Sequence, residues 1–213
     1  MTGELTAADL VPPPERQPAT DADLAAVGAQ LGRPPRGTRA VAHRCPCGCP
    51  DVVETTPRLA DGTPFPTLFY LTCPRAVSGC SRLESAGVMR EMAQRLETDP
   101  DLAARYRVAH EDYLSRRAAI GQVPEIDGVS AGGMPGRIKC LHVHVGHALA
   151  TGPGVNPFGD EALRLLEPWW SAGPCVAPSD EASPPNGATV GDGPGGATVG
   201  DGPGAPAGDG GPA

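Results

Sequence analysis

Aromatic side chains, lysine and long apolar runs are all scarce in this chain. Phe, Tyr and Trp make up only 4% of its 213 residues, and all eight lie between Phe65 and Trp170. A core, if there is one, has to form there. The longest strongly apolar run is Leu68-Phe69-Tyr70-Leu71, far short of the ~20 residues a transmembrane helix needs, so no membrane span is expected. The opening string MTGELTAADLVPPPERQP has neither a basic start nor an apolar centre, which predicts no secretory leader and a cytoplasmic protein. In that compartment thiols stay reduced. The seven cysteines then read as metal ligands, reactive thiols or small buried apolar residues rather than disulfide partners.

Lysine occurs once, as Lys139, against 16 arginines. Arginine grips carboxylates and phosphates with paired hydrogen bonds, but GC-rich coding produces the same bias. The net charge of -8 is unevenly spread: residues 21–170 hold 17 acids and 16 bases, while Ser171–Ala213 holds five acids and no base. A balanced central region lacks the basic footprint of a nucleic-acid binder.

Glycine (29) and proline (26) are abundant. Twelve glycines and eight prolines fall in 171–213, where GATVGDGPG occurs twice, at Gly187–Gly195 and Gly196–Gly204. Two short copies without bulky residues fit a solvated linker better than a solenoid. The expected organisation is a flexible segment over 1–20, one domain over 21–170, and a disordered acidic tail over 171–213.

Within the domain, Thr20 or Asp21 caps a helix carrying Leu24, Val27 and Leu31, stopped by Gly32. Strands are expected at Arg39–Arg44, Asp51–Leu59 and Thr67–Thr72. The capping-box pattern Ser81-x-x-Glu84 predicts a helix from just after Cys80 to Glu97, with Val88, Met92 and Leu96 on its core stripe. Asp99-Pro100 opens a helix to Ala119. Leu102, Tyr106, Ala109 and Tyr113 form its inner face, Glu111, Asp112, Arg116 and Arg117 a solvated one, and His110 an edge position. Further helices are expected over Arg137–Ala150 and Asp160–Glu167. Strands first and helices after imply an α+β fold, a small antiparallel sheet in the N-terminal half packed with C-terminal helices.

Three groups of metal-ligating residues stand out: Cys45-Pro46-Cys47-Gly48-Cys49-Pro50, Cys73 with Cys80, and Cys140-x-His142-x-His144-x-x-His147. A turn built on Pro and Gly can aim several thiolates at one point. At ~100° per residue along a helix, His144 and His147 share a face with Cys140, and His142 falls on the other side. A tetrahedral zinc ion takes four Cys or His ligands, so Cys45, Cys73, Cys140 and His147 form the preferred set. Cys47, Cys49, His142 and His144 are alternates. Burial of the cysteines as compact apolar residues is the competing explanation. Cys140, beside Lys139 at an expected helix start, is also a candidate catalytic thiolate. The stretch Gly132–Lys139 combines glycines, cations and that same helix start in a way that suits an anion, or a plain linker. Trp169-Trp170 either anchors the last helix or meets a partner.

The strings RCPCGCPDVVETTPRLADGTPFPTLFYLTCP, SRLESAGVMREM and GMPGRIKCLHVHVGHALATGPGVNPFGDEAL together resemble an uncharacterised family of small proteins from high-GC Gram-positive bacteria, known as a domain of unknown function. The resemblance spans about residues 25–166. The family pattern matches at Cys45, Asp61–Thr67, Thr72-Cys73-Pro74, Arg82-Leu83-Glu84, Lys139-Cys140-Leu141-His142 and His147, while Cys49 and His144 stand outside it. Gene neighbours of the family include enolase, a septum-formation protein and an exopolyphosphatase. The resemblance thus implies a cell-division or envelope setting and no established activity. Two functions are carried forward. One is a non-enzymatic module, stabilised by zinc, that binds another protein. The other is an enzyme using a metal or the Cys140 thiolate on a small anionic substrate.

Overall fold

The computed structural model describes residues 16–176, which lie within one compact unit. The repeat at 187–204 falls outside the described residues. Four strands, β1 (Gln17–Pro18), β2 (Thr38–Arg44), β3 (Pro50–Thr55) and β4 (Phe69–Leu71), form one antiparallel sheet in the order β1-β2-β3-β4. The helices are α1 (Asp21–Leu31), α2 (Pro74–Ser85), α3 (Val88–Thr98), α4 (Pro100–Ile120), α5 (Leu141–Thr151) and α6 (Pro157–Leu165). The α+β class and its strand-first order agree with expectation.

Side chains alternate across a strand, and the neighbours of β3 follow that rule. Val52, level with Leu71, joins Phe69, Leu141, Val145 and Phe158 in the main core beneath α5. Val53, level with Tyr70, turns to the other face, where Val27 of α1 and Leu59 lie. Both faces of β3 are therefore covered, and all six of its residues are buried. Gly146 brings α5 down onto β4, since a Cβ there would sit 3.2 Å from the Phe69 carbonyl oxygen. Gly159 does the same for α6 on α5, with 2.2 Å to the His144 carbonyl oxygen.

Local signals account for most element ends. Thr20 and Asp23 form the capping box that starts α1, and Gly32 ends it in the left-handed conformation. The carboxylate of Asp23 also receives both Nη atoms of Arg44, at 2.7 and 2.9 Å, pinning α1 to the end of β2. Asp99 and Asn156 cap α4 and α6, each followed by Pro at the first helical position.

Several expectations need correction. The single helix expected after Cys80 is two helices. Cys73 caps α2 with Pro74 at its first position, and Gly87, at φ +89°, separates it from α3. A φ of that sign favours glycine, and the break falls there. Asp112 and Arg117 are buried, not solvated. Arg117 donates to the carbonyls of Pro66, Val129 and Ile126 at 3.1, 2.7 and 2.6 Å, and so holds the loop after α4 with backbone acceptors. Gln17–Pro18 is a strand, and Arg16 reaches the Ala42 and Ala150 carbonyls and Glu54. Helix α5 begins at Leu141, four residues later than expected: Glu84 accepts the Leu141 N–H at 2.7 Å, and the preceding Gly132–Lys139 segment closes on itself through Lys139 N–H to the Gly132 carbonyl at 2.8 Å.

Candidate functional site

The sequence CPCGCP forms the tip of the β2–β3 hairpin. Gly48 N–H donates to the Cys45 carbonyl at 2.8 Å, and Cys45 N–H donates to the Cys49 carbonyl at 3.0 Å. Pro46 occupies the second position of the resulting turn, where its fixed φ fits, and Gly48 takes a φ of +90°. This tight loop packs three thiols into five residues. Cys73 ends the segment after β4 and caps α2.

A fifth thiol arrives from the C-terminal side. After α6 the chain runs back along the core through Trp169. The Gly173 carbonyl accepts from Arg75 at 2.6 Å, and Gln30 of α1 donates to the Cys175 sulfur at 3.2 Å and to the Pro50 carbonyl at 2.7 Å. The sulfurs of Cys47, Cys49 and Cys175 all lie within 4.8 Å of one another. Cys45 borders Cys47, and Cys73 borders Cys175, closely enough for each pair to influence the other's ionisation, so two further thiols flank the group of three beside the hairpin tip.

Their electrostatics differ. Burial, with added repulsion from Cys47 and Asp51, pushes Cys45 up to about 12. Burial and its thiol neighbours hold Cys49 at about 11. Cys73 also reaches about 11 by burial, against the pull of the Ala76 and Arg75 backbone N–H groups at the start of α2. Cys47 moves down: burial opposes ionisation, but the Cys49 backbone and the Cys45 thiol outweigh it. Such N–H and thiol donors stabilise thiolate ligands in metal sites. Cys73, facing backbone donors, suits the fourth position better than Cys45, which lies near the Asp51 carboxylate. All seven cysteines are free thiols in the structure.

A second cluster joins α2 to α5. Cys140 is the N-cap of α5, and its sulfur lies 3.3 Å from His142 Nδ1. Glu84 Oε1 lies 3.1 Å from the same Nδ1 and accepts the Leu141 N–H at 2.7 Å. His142 Nε2 is turned toward the Val77 carbonyl at 3.2 Å. All three groups are half-buried and within 4.8 Å of one another. Burial opposes ionisation of Cys140, yet the His142 ring and the Val143 backbone carry it below the ordinary thiol value. The Cys140 hydrogen bond raises His142, despite burial. Because Glu84 already occupies the N-terminus of α5, the anion site expected around Gly132–Lys139 loses the helix end it needed.

The set Cys45, Cys73, Cys140 and His147 is therefore not brought together. Cys45 and Cys73 belong to the hairpin cluster, and Cys140 joins His142 in the other. Helical spacing places His142 on the far side only if Cys140 is inside the helix, and Cys140 precedes it. His144 and His147 are fully buried in a separate network. Asn156 Nδ2 donates to His144 Nδ1 at 3.3 Å and His147 Nδ1 at 3.2 Å, which leaves the ring proton of each on Nε2. His147 Nε2 donates to Asp112 at 2.9 Å, and His144 Nε2 to the Tyr106 hydroxyl at 3.2 Å, which donates to the Arg137 carbonyl at 3.0 Å. Burial lowers both histidines, His144 to about 3, even with Asp112 beside His147. They are neutral core residues.

Sequence reasoning missed Cys175 and Glu84 as site residues. Cys175 was submerged in the Gly/Pro-rich composition that marked the tail. Glu84 did signal a cap, but for a helix 57 residues away rather than for its own.

A family model described as Protein of unknown function (DUF501) matches residues 41–164. Cys45, Cys47, Cys49, Cys73, Glu84, Cys140 and His142 fall inside the matched region and Cys175 outside it. No curated protein matches the chain, and no solved structure does.

Proposed function

The chain belongs to the family described as Protein of unknown function (DUF501), and we propose that this member is a zinc-stabilised binding module. The observation that carries the proposal is the meeting of Cys47, Cys49 and Cys175, with Cys73 against Cys175, beside the hairpin tip. Four thiolates close a tetrahedral zinc ion with protein ligands alone, which is the pattern of structural rather than catalytic sites. The ion ties the C-terminal strap, the hairpin and the start of α2 together.

The binding surface we favour is the cleft between α1 and the sheet, about 290 Å³, with Val27, Leu31, Phe65 and Tyr70 in its walls and Arg33 beside them. Its chemistry suits a partner segment that inserts an apolar side chain and carries an acid next to it. The cell-division or envelope setting implied by the family resemblance is part of this proposal.

The experiment is thermal unfolding of the reduced full-length protein with and without a strong zinc chelator, for wild type and for Cys49→Ser and Cys175→Ser. Chelation is expected to lower the wild-type melting temperature by about 10 °C or more, at roughly 2–4 °C per kcal/mol, and to lower that of the variants by much less. A wild-type melting temperature indifferent to chelator would overturn the proposal.

A further inference from the structure

Glu84 closes the N-terminus of α5, but its convergence with Cys140 on His142 is not the geometry of a catalytic triad. In a nucleophile–base–orienter chain the two partners occupy opposite nitrogens of the imidazole. Here both the Cys140 sulfur and Glu84 Oε1 face the same atom, Nδ1. Three different donor atoms pointing at one space are the arrangement a cation requires. The separations agree: zinc bonds of ~2.3 Å to sulfur and ~2.0 Å to nitrogen or oxygen at tetrahedral angles give edges of about 3.5 and 3.3 Å, against 3.3 and 3.1 Å observed. The far nitrogen, Nε2, is held at 3.2 Å by the Val77 carbonyl. A metal-ligating histidine is usually oriented by such a bond on its other nitrogen.

We propose that Glu84, Cys140 and His142 form a second zinc-type cation site, with three protein ligands and a fourth position open to water or a small anion. Cys80 on α2 is fully buried and belongs to no group of converging donors among the described residues. The Glu84 and His142 side chains keep about a quarter of their surface exposed, 23% and 25%, which gives an ion and its fourth ligand access. The site is independent of the hairpin thiols: its ligands come from α2 and the start of α5, and no ligand is shared. It also differs in kind, since a three-ligand centre with an exchangeable position is what zinc enzymes use. Glu84 would serve twice, closing the helix N-terminus and balancing the ion's charge. A dipositive ion with one thiolate and one carboxylate is neutral, so an added anion meets no net repulsion there.

The test is a cobalt(II) titration of the reduced full-length protein, read by visible absorption and by bound metal after desalting. Wild type is expected to hold two ions, and Cys140→Ser and Glu84→Gln one. Glu84→Gln keeps an acceptor for Leu141 N–H while removing the carboxylate, so it reports on the ligand rather than the cap, and circular dichroism confirms folding. Added azide should shift the spectrum of wild type and of Cys175→Ser, where only the second site is filled, and leave that of Glu84→Gln unchanged. One ion in wild type, lost in Cys175→Ser and retained in Cys140→Ser, overturns this site and leaves the hairpin site standing. One ion with the reverse dependence overturns the hairpin site instead. Two ions with no azide response overturn the open position.

Discussion

His147 separates a ligand from a core residue most sharply. It was the preferred metal-binding histidine on helical spacing, yet its ring stacks on Phe69, with centroids 5.7 Å apart, and donates to Asp112. His147→Gln should leave the amount of bound metal unchanged and lower stability by about 1–3 kcal/mol, the cost of an unsatisfied buried partner, as measured by urea unfolding. The same network sets a pH dependence. Burial lowers His147, so it gains a proton on unfolding, and its stabilisation is complete above the unfolded value of about 6.5 and fades as pH falls. Asp112 is buried, which raises its value, but hydrogen bonds from His147 and Arg116 hold it lowered overall. Its contribution too fades toward acid. Wild type should therefore lose stability from pH 7 to 5 more steeply than His147→Gln, and equal slopes would contradict the assignment. Single positions of this kind were poorly legible beforehand. His144 and His147 do share a buried face of α5, but Cys140 precedes the helix and leaves that face, and nothing local says whether a face looks at an ion or at Asn156.

Helix ends are legible wherever a local residue announces them, as the capping side chains of Thr20 and Asp99 and the left-handed backbone of Gly32 do. They were missed where the stop is made by distant groups. The start of α5 is fixed by Glu84 from another helix, so no window around Cys140 contains the signal, and the placement of His142 failed with it. The Ser81-x-x-Glu84 pattern misled because Cys73-Pro74 begins the helix earlier and Gly87 ends it. The α5–α6 crossing depends on a missing side chain. Gly159→Ala would place a Cβ 2.2 Å from the His144 carbonyl oxygen. Backbone must shift to admit it, and the expected loss is about 1–3 kcal/mol in chemical denaturation. Gly152→Ala is a poor control, since its φ is +86°. Gly136, with open space around it and no such φ, is the right one and should tolerate Ala with less than half that loss.

Sheet, helices and core could be anticipated from composition and punctuation, since the aromatics and the strand-like runs cluster in the same stretch. The proposed metal site could not, because its closing ligand sits in a segment whose composition argues for a tail. Cys175 makes the position of a C-terminal truncation decisive. Cutting after Val176 should preserve melting temperature and bound metal, whereas cutting after Ser171 should lose the hairpin ion along with the Arg75–Gly173 and Gln30–Cys175 contacts. Equal behaviour of the two truncations would show that the strap is not part of the site.

The central claim, that the hairpin thiols and Cys175 hold one ion, is tested most directly by anomalous diffraction at the zinc absorption edge from crystals of the reduced full-length protein. A single strong peak about 2.3 Å from the sulfurs of Cys47, Cys49, Cys73 and Cys175 is the result predicted. Sulfurs in these positions with no anomalous peak among them, or joined as disulfides, would contradict it.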